Sequence, residues 1–323
     1  MRGPAAAGRG RQQHGAAARR GDGGDGGNDD VFLAIFESGD VLAYTGSNPG
    51  DPNNWAILGK YKIGRPLSRF GVYNGDDDVY LITSRGYEKL TEIIKYGASA
   101  PERLVMSNKI QKDVIDDINF LGASNDWSMS LFPGGQMLII NVPRTTTSRR
   151  YHVRNINTGS WCKFRDFYAY SWAMFGTKCY FGSDDGSIYE FSFSYTSDNG
   201  ASIYADGQGS WNSLGYPGYV KSIELCRATV AATVKPATSV TMGADFVDPT
   251  IVGYELAGES TSAVWDVAIW DTAAWGGAES TYRQWFSRSV EAHFVSLRLR
   301  VVANGDAVKW NGSTVLYSVG GPI

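Results

Sequence analysis

From Asp30 onward the chain is written in short runs of β-branched and aromatic residues, most of them five or six long, cut by Gly, Asp and Asn. That texture specifies strands joined by tight turns, for which antiparallel sheet is the default. Residues 31–36 and 41–45 flank a turn at Ser38, Gly39 and Asp40 and read as a hairpin. Further strands are expected at 55–63, 69–73, 79–83 and 87–90. One segment departs from this pattern. Over 101–118, Leu104, Val105, Ile110, Val114, Ile115 and Ile118 recur near helical spacing, with Pro101 suited to a first turn. A single inserted helix is expected there, its apolar stripe serving as core packing.

Internal repetition constrains the fold further. VYLITSRGYEKL, starting at Val79, resembles CYFGSDDGSIYEF, starting at Cys179. Tyr80 matches Tyr180, Gly86 matches Gly186, and Tyr87-Glu88 matches Tyr189-Glu190, at offsets of 100 to 102 residues. A tryptophan-bearing strand precedes each copy, with Trp55 and Trp161 offset by 106. Residues 31–194 then divide into about four sheet-like units of about 30 to 50 residues, the pattern of propeller blades. The expected fold is all-β: a complete or partial β-propeller over 31–198 with one inserted helix, then a C-terminal β-rich platform and assembly domain over 199–323. The last strands, near 293–319, read as strand-turn-strand about Asn304-Gly305. Residues 1–30 carry almost no large apolar side chain and read as a disordered leader, or as a start assigned upstream of the true one.

Charge and cysteine usage narrow the function. Thirty Lys and Arg against 33 Asp and Glu give a net charge of −3, which excludes a strongly basic grip on nucleic acid. Cys162, Cys179 and Cys226 fit neither a disulfide framework nor metal spacing, so a reducing compartment is expected. No apolar run approaches the roughly 20 residues that span a bilayer, and no membrane insertion is expected. His14, His152 and His293 have no Cys or carboxylate at ligand spacing. The nucleophile elbow, the phosphate loop and the zinc-protease helix motif are all absent from the sequence. No catalytic residue, metal or cofactor is assigned, and the chain is expected not to be an enzyme.

Three features have both a structural and a functional reading. SDDGSIYEF approximates the Asp box of sialidase propellers but is one residue short, and Arg144, Arg149, Arg150 and Arg154 could supply the carboxylate-binding cluster such an enzyme needs. A solvated charged loop explains the arginines as well. Acidic turns recur at Asp76, Asp77 and Asp78 and at Asp184 and Asp185. Aspartate favours turns through local hydrogen bonds, calcium binding at Asn74–Asp78 being the less favoured reading. If the turns faced a channel, their carboxylates would repel passing duplex DNA. Trp265, Trp270 and Trp275 are spaced by five, which fits neither helix nor strand. With Trp285 and Trp310 they are read as core or interface anchors, a sugar or base platform being the alternative.

Several segments together resemble the tail-hub and nozzle proteins of short-tailed bacteriophages, also called packaged-DNA stabilisation or tail accessory proteins. They are residues 39–66, the VYLITSRGYEKL strand pair, the helix around SNKIQKDV, the WDVAIWDTAAW segment and the end of the chain at Gly320-Gly321. The likeness covers residues 30–323 and is one of style and order. It implies a ring of copies, six in number, below the portal and adaptor proteins and above tail needle or fibre proteins. Such a ring holds packaged DNA and conducts it during ejection, with transient, non-specific contact to duplex DNA. It also implies a virion tail location, manufacture in the host cytoplasm and no catalytic residues. Family members carry more propeller sequence before the first unit seen here, which points to a truncated N-terminus. The competing expectation is a glycan-binding or sialidase-like propeller for receptor recognition.

Overall fold

A computed structural model describes residues 13–19, 31–46, 48–75, 78–96, 105–143, 149–249 and 280–322. The chain divides into two compact units, Met1–Ser192 and Phe193–Ile323.

The first unit begins with the expected hairpin. Gly39 sits at φ 81°, its N–H donates to the Phe36 carbonyl at 2.9 Å, and a Cβ there would come within 2.6 Å of the Ile63 carbonyl oxygen. Only glycine fits that turn. Four antiparallel sheets follow one another along the chain. The first is β1 (Gln13–Arg19), β2 (Val31–Phe36), β3 (Asp40–Thr45) and β4 (Ala56–Lys62). The second is β5 (Val72–Asn74), β6 (Val79–Thr83) and β7 (Gly86–Lys89). The third is β8 (Ser128–Phe132), β9 (Met137–Val142), β10 (Arg150–Asn155) and β11 (Trp161–Arg165). The fourth is β12 (Ala169–Phe175), β13 (Lys178–Ser183) and β14 (Ile188–Phe191). In each, consecutive strands are hydrogen-bonded neighbours.

Core residues show how these sheets stack. On β6, Val79 and Leu81 pack toward the first sheet with Leu33, Val41 and Ile63, while Tyr80 and Ile82 pack toward the third with Leu138 and Ile140. On β9, Leu138, Ile140 and Val142 join the second sheet's cluster, while Met137 and Ile139 join Cys179 and Ala169 of the fourth. Every residue of β6 and β9 is buried. Middle strands covered on both faces, in sheets stacked face to face in chain order, give a propeller-like all-β fold.

The sequence repeat has a structural counterpart. β6–β7 and β13–β14 are the second and third strands of their sheets, and in the sheets before them Trp55 immediately precedes the fourth strand β4 and Trp161 opens the fourth strand β11.

Three expectations are corrected here. Residues 13–19 form β1 and pair with β2 from Arg19↔Val31 to Gln13↔Phe36, because a strand ladder needs backbone groups rather than large side chains; the leader expectation fails for these seven residues. The inserted helix α2 (Gln111–Leu121) follows a 3-10 turn at Asn108–Ile110, later than expected. A further short helix, α1 (Leu90–Tyr96), lies before it. Residues 97–104, Pro101 among them, lie outside the described residues.

The second unit is a two-layer sandwich. One layer is β15 (Ile203–Gln208), β20 (Val295–Ala303) and β17 (Ala237–Ala244), with β20 central. In the other, the 14-residue β16 (Tyr219–Ala232) pairs with β18 (Ser280–Arg283), β19 (Phe286–Ala292) and β21 (Lys309–Pro322). Ile223, Cys226 and Val230 of β16 meet Val240 and Met242 of β17 and Leu297 and Leu299 of β20 between the layers. The Asn304-Gly305 turn therefore joins two layers rather than a hairpin. β20 pairs with β15 and β17, and β21 with β16. Asp306 fixes the crossing by accepting from Thr233 Oγ1 at 2.6 Å and Val234 N at 2.7 Å. Among the described residues, no helix is long and apolar enough to cross a membrane.

Candidate functional site

In the first unit the opening strands of the four sheets run as neighbours: β1 lies beside β5, β5 beside β8, and β8 beside β12. This seam of first strands is where successive sheets converge, the position that borders the axis in a propeller. A cavity of about 170 Å³ opens along it, lined by Tyr73, Leu131, Phe132, Trp172, Met174 and Cys179 among others. Carboxylates, histidines and cations are absent from its lining. Burial pushes the Cys179 thiol up to about 11, so it faces the cavity uncharged. Trp172 is fixed by donating from Nε1 to Asn141 Oδ1 at 2.8 Å, and its ring packs at 5.2 Å from Phe181. The chemistry of this surface is aromatic and apolar, suited to packing.

Ionisable groups converge instead under α2. In the β10–β11 ladder, Arg150 faces Arg165, His152 faces Lys163 and Arg154 faces Trp161, so one face of the hairpin is strongly basic. Asp113 and Asp117, one helical turn apart, meet it. Lys163 pairs with Asp113 at 2.9 Å, and Arg150 pairs with Asp117. His152 is fully buried, with Nε2 3.4 Å from Asp117 Oδ2 and Nδ1 2.7 Å from the Tyr87 hydroxyl. Burial, with a smaller effect of Asp117, holds Tyr87 well above its usual pKa, so it stays neutral and shares one proton with Nδ1, while Nε2 approaches Asp117 without a hydrogen bond. Burial, then the charges of Lys163 and Arg150, lower His152 to about 4. Burial also raises Asp117, against the pull of Arg150 and Lys163. A Tyr–His–Asp chain has the order of a proton relay, but neither Tyr87 nor His152 reaches solvent. The cluster fastens α2 across β7 and β10.

No family model and no curated protein matches this chain. Among solved structures, a glycoside hydrolase family 43 arabinoxylan arabinofuranohydrolase from Bacillus subtilis, in complex with cellotetraose, aligns over 94% of this chain and 77% of its own. The identity is 13% and the TM-score 0.24. That solved chain is an enzyme, and the expectation of a non-enzyme is withdrawn: paired glycosidase carboxylates leave no sequence motif whose absence could exclude them. A superposition this loose assigns no activity either.

The residues singled out from sequence are scattered. Asp76, Asp77, Arg144, Trp265, Trp270 and Trp275 lie outside the described residues. Asp78 is 5% exposed, and its Oδ1 accepts from Val79 N at 2.8 Å and Thr91 N at 3.0 Å, tying the start of α1 to β6. It is a structural carboxylate and lines no channel. Asp185 is exposed on the β13–β14 turn, where it accepts from Ser187 N at 2.8 Å and the Tyr189 hydroxyl at 2.7 Å. Asp184 accepts from Ser183 Oγ at 3.3 Å on the same turn. The Asp78 turn joins a first strand to a second and the Asp184–Asp185 turn a second to a third, so each lies at a different end of its own meander. Trp285 and Trp310 are 42% and 39% exposed on the second unit, outside its core. The Arg227 guanidinium lies 4.6 Å over the Trp285 ring, and Trp310 packs across Gly207. Arg149, Arg150 and Arg154 form no common pocket: Arg150 turns to Asp117, Arg149 to the Tyr170 ring. His293 lies beside Asp245 at 3.6 Å in the second unit. Among the described residues, no group of three or more His, Cys, Asp or Glu is placed to hold a metal ion.

The sequence reading missed the Tyr87–His152–Asp117 chain. Its legible signals were the i, i+4 pair Asp113 and Asp117 and the alternation of Arg150, His152 and Arg154.

Proposed function

We propose that this chain is a structural protein of a short phage tail, a hub or nozzle subunit whose copies, six in number, form a ring that retains packaged DNA and conducts it during ejection. The observation that supports this reading is the seam of first strands in the first unit, backed by middle strands buried on both faces. Sheets stacked in that way make a stiff wall, because displacing one sheet opens two apolar interfaces. A net charge of −3 suits passage of duplex DNA without tight binding. The exposed Trp285 and Trp310 suit contacts with portal and adaptor proteins above, or with needle or fibre proteins below.

Native mass measurement of the purified chain, alone and with a tail adaptor, tests the proposal. A multi-copy ring or an adaptor-bound ring is expected, and non-associating monomer in both samples contradicts it. A glycan array and a fluorogenic sialoside assay run in parallel test the receptor-recognition reading. Saturable glycan binding or turnover would favour receptor recognition instead.

A further inference from the structure

We infer that Arg149 is the core of an oxyanion-binding site at the junction of the third and fourth sheets of the first unit, taking a carboxylate or a phosphate. Arg149 is 3% exposed, and its Nε and Nη1 nitrogens are shielded from water and have no hydrogen-bond partner among the described residues. Its guanidinium lies 4.2 Å over the Tyr170 ring. Other cations of this unit hold a carboxylate: Arg150 has Asp117, Lys163 has Asp113, and Lys178 has Glu190 at 2.8 Å. Among the described residues, none pairs with Arg149. A guanidinium cannot shed its proton, so burial leaves its charge in place. Stacking on one aromatic face offsets only part of the lost hydration. The five residues before it in the sequence, Arg144 to Ser148, include no acid.

The neighbouring phenol cannot supply the counter-charge. The Tyr151 hydroxyl already accepts from Ala169 N at 2.6 Å and donates toward Phe167 O at 3.1 Å, and burial pushes it up to about 12, so it stays neutral. Among the described residues, what remains is a buried cation whose Nε and Nη1 carry three unused N–H donors. It is walled by Tyr151, whose phenol Arg149 also meets through a side-chain hydrogen bond, and by Tyr170, which is 43% exposed and marks the way in. Guanidinium donors match the oxygens of carboxylates and phosphates, with charge-assisted hydrogen bonds. The inference stands on this geometry and is independent of the ring.

Titration calorimetry of the full chain at pH 7 and constant ionic strength, with inorganic phosphate in one arm and acetate in the other, tests it. Saturable one-to-one binding is expected in at least one arm, with a rise in melting temperature of about 5–10 °C at a hundredfold excess over Kd. Phosphate alone saturating identifies a phosphoryl ligand, and acetate alone a carboxylate. Arg149→Met is expected to abolish both signals, and Arg165→Met, at an exposed arginine on β11, to leave them intact. Should Arg149→Met not fold, Arg149→Lys keeps the charge without the planar donor set and is expected to bind about tenfold more weakly or worse. The inference is overturned by wild-type protein that binds neither anion saturably, or by equal affinity in the Arg149 variants. Equal melting shifts in wild type and Arg149→Met also overturn it, since phosphate stabilises any fold by exclusion from its surface.

Discussion

At the scale of single residues, the Tyr87–His152–Asp117 chain makes two predictions. Tyr87→Phe removes the hydroxyl partner of His152 Nδ1 and leaves that nitrogen buried without a hydrogen bond, so chemical denaturation should show a loss of about 1–3 kcal/mol. The second concerns pH. His152 is lowered from 6.5 to about 4, so the unfolded chain takes up a proton there more readily than the folded one. Its contribution is complete above about pH 6.5, is lost as pH falls toward about 4, and amounts to about 3 kcal/mol across that window. Asp117, raised by burial, works the other way: the folded chain holds its proton more tightly, which offsets part of the loss at the acid end. Unfolding curves collected from pH 7 to 4 should therefore slope downward in wild type and flatten in His152→Gln. A slope unchanged by that substitution would assign the acid sensitivity to other groups.

At the scale of the strand, burial on both faces separates this fold from a sheet with one wet side. In a one-sided sheet only alternate residues matter. On β9, Ile139 packs toward the fourth sheet and Ile140 toward the second, with 1% and 0% exposure. Ile139→Ala and Ile140→Ala should therefore each cost about 2–5 kcal/mol in equilibrium unfolding; a loss confined to one of them would contradict the stacking. These elements also show what the sequence discloses. The hairpin at Gly39 and the paired copies β6–β7 and β13–β14 were legible because turn residues and strand alternation are local properties. β1 was not legible, since pairing depends on the edge that β2 offers rather than on the side chains of residues 13–19. The role of Asp78 was hidden because its partner amide, on Thr91, lies 13 residues away. Tyr87 and His152 meet across 65 residues, a distance over which no periodicity speaks. Asn304-Gly305 carried a hairpin signal that the competing demand of burying both β20 and β21 against β16 and β17 overrode.

At the scale of the molecule, two compact units with separate cores, divided at Ser192 and Phe193, carry different surfaces. The first presents the seam of first strands, and the second presents Trp285 and Trp310. The ring proposal assigns the wall to the first and assembly contacts to the second. It depends on mechanical continuity between copies, so it is answered by seeing particles rather than by assaying turnover. Electron-microscope images of the purified full chain, mixed with a phage tail adaptor protein, are the most direct measurement of that proposal. Class averages with a central hole and rotational symmetry are predicted, and a field of isolated single chains without a hole at any adaptor ratio would contradict the account.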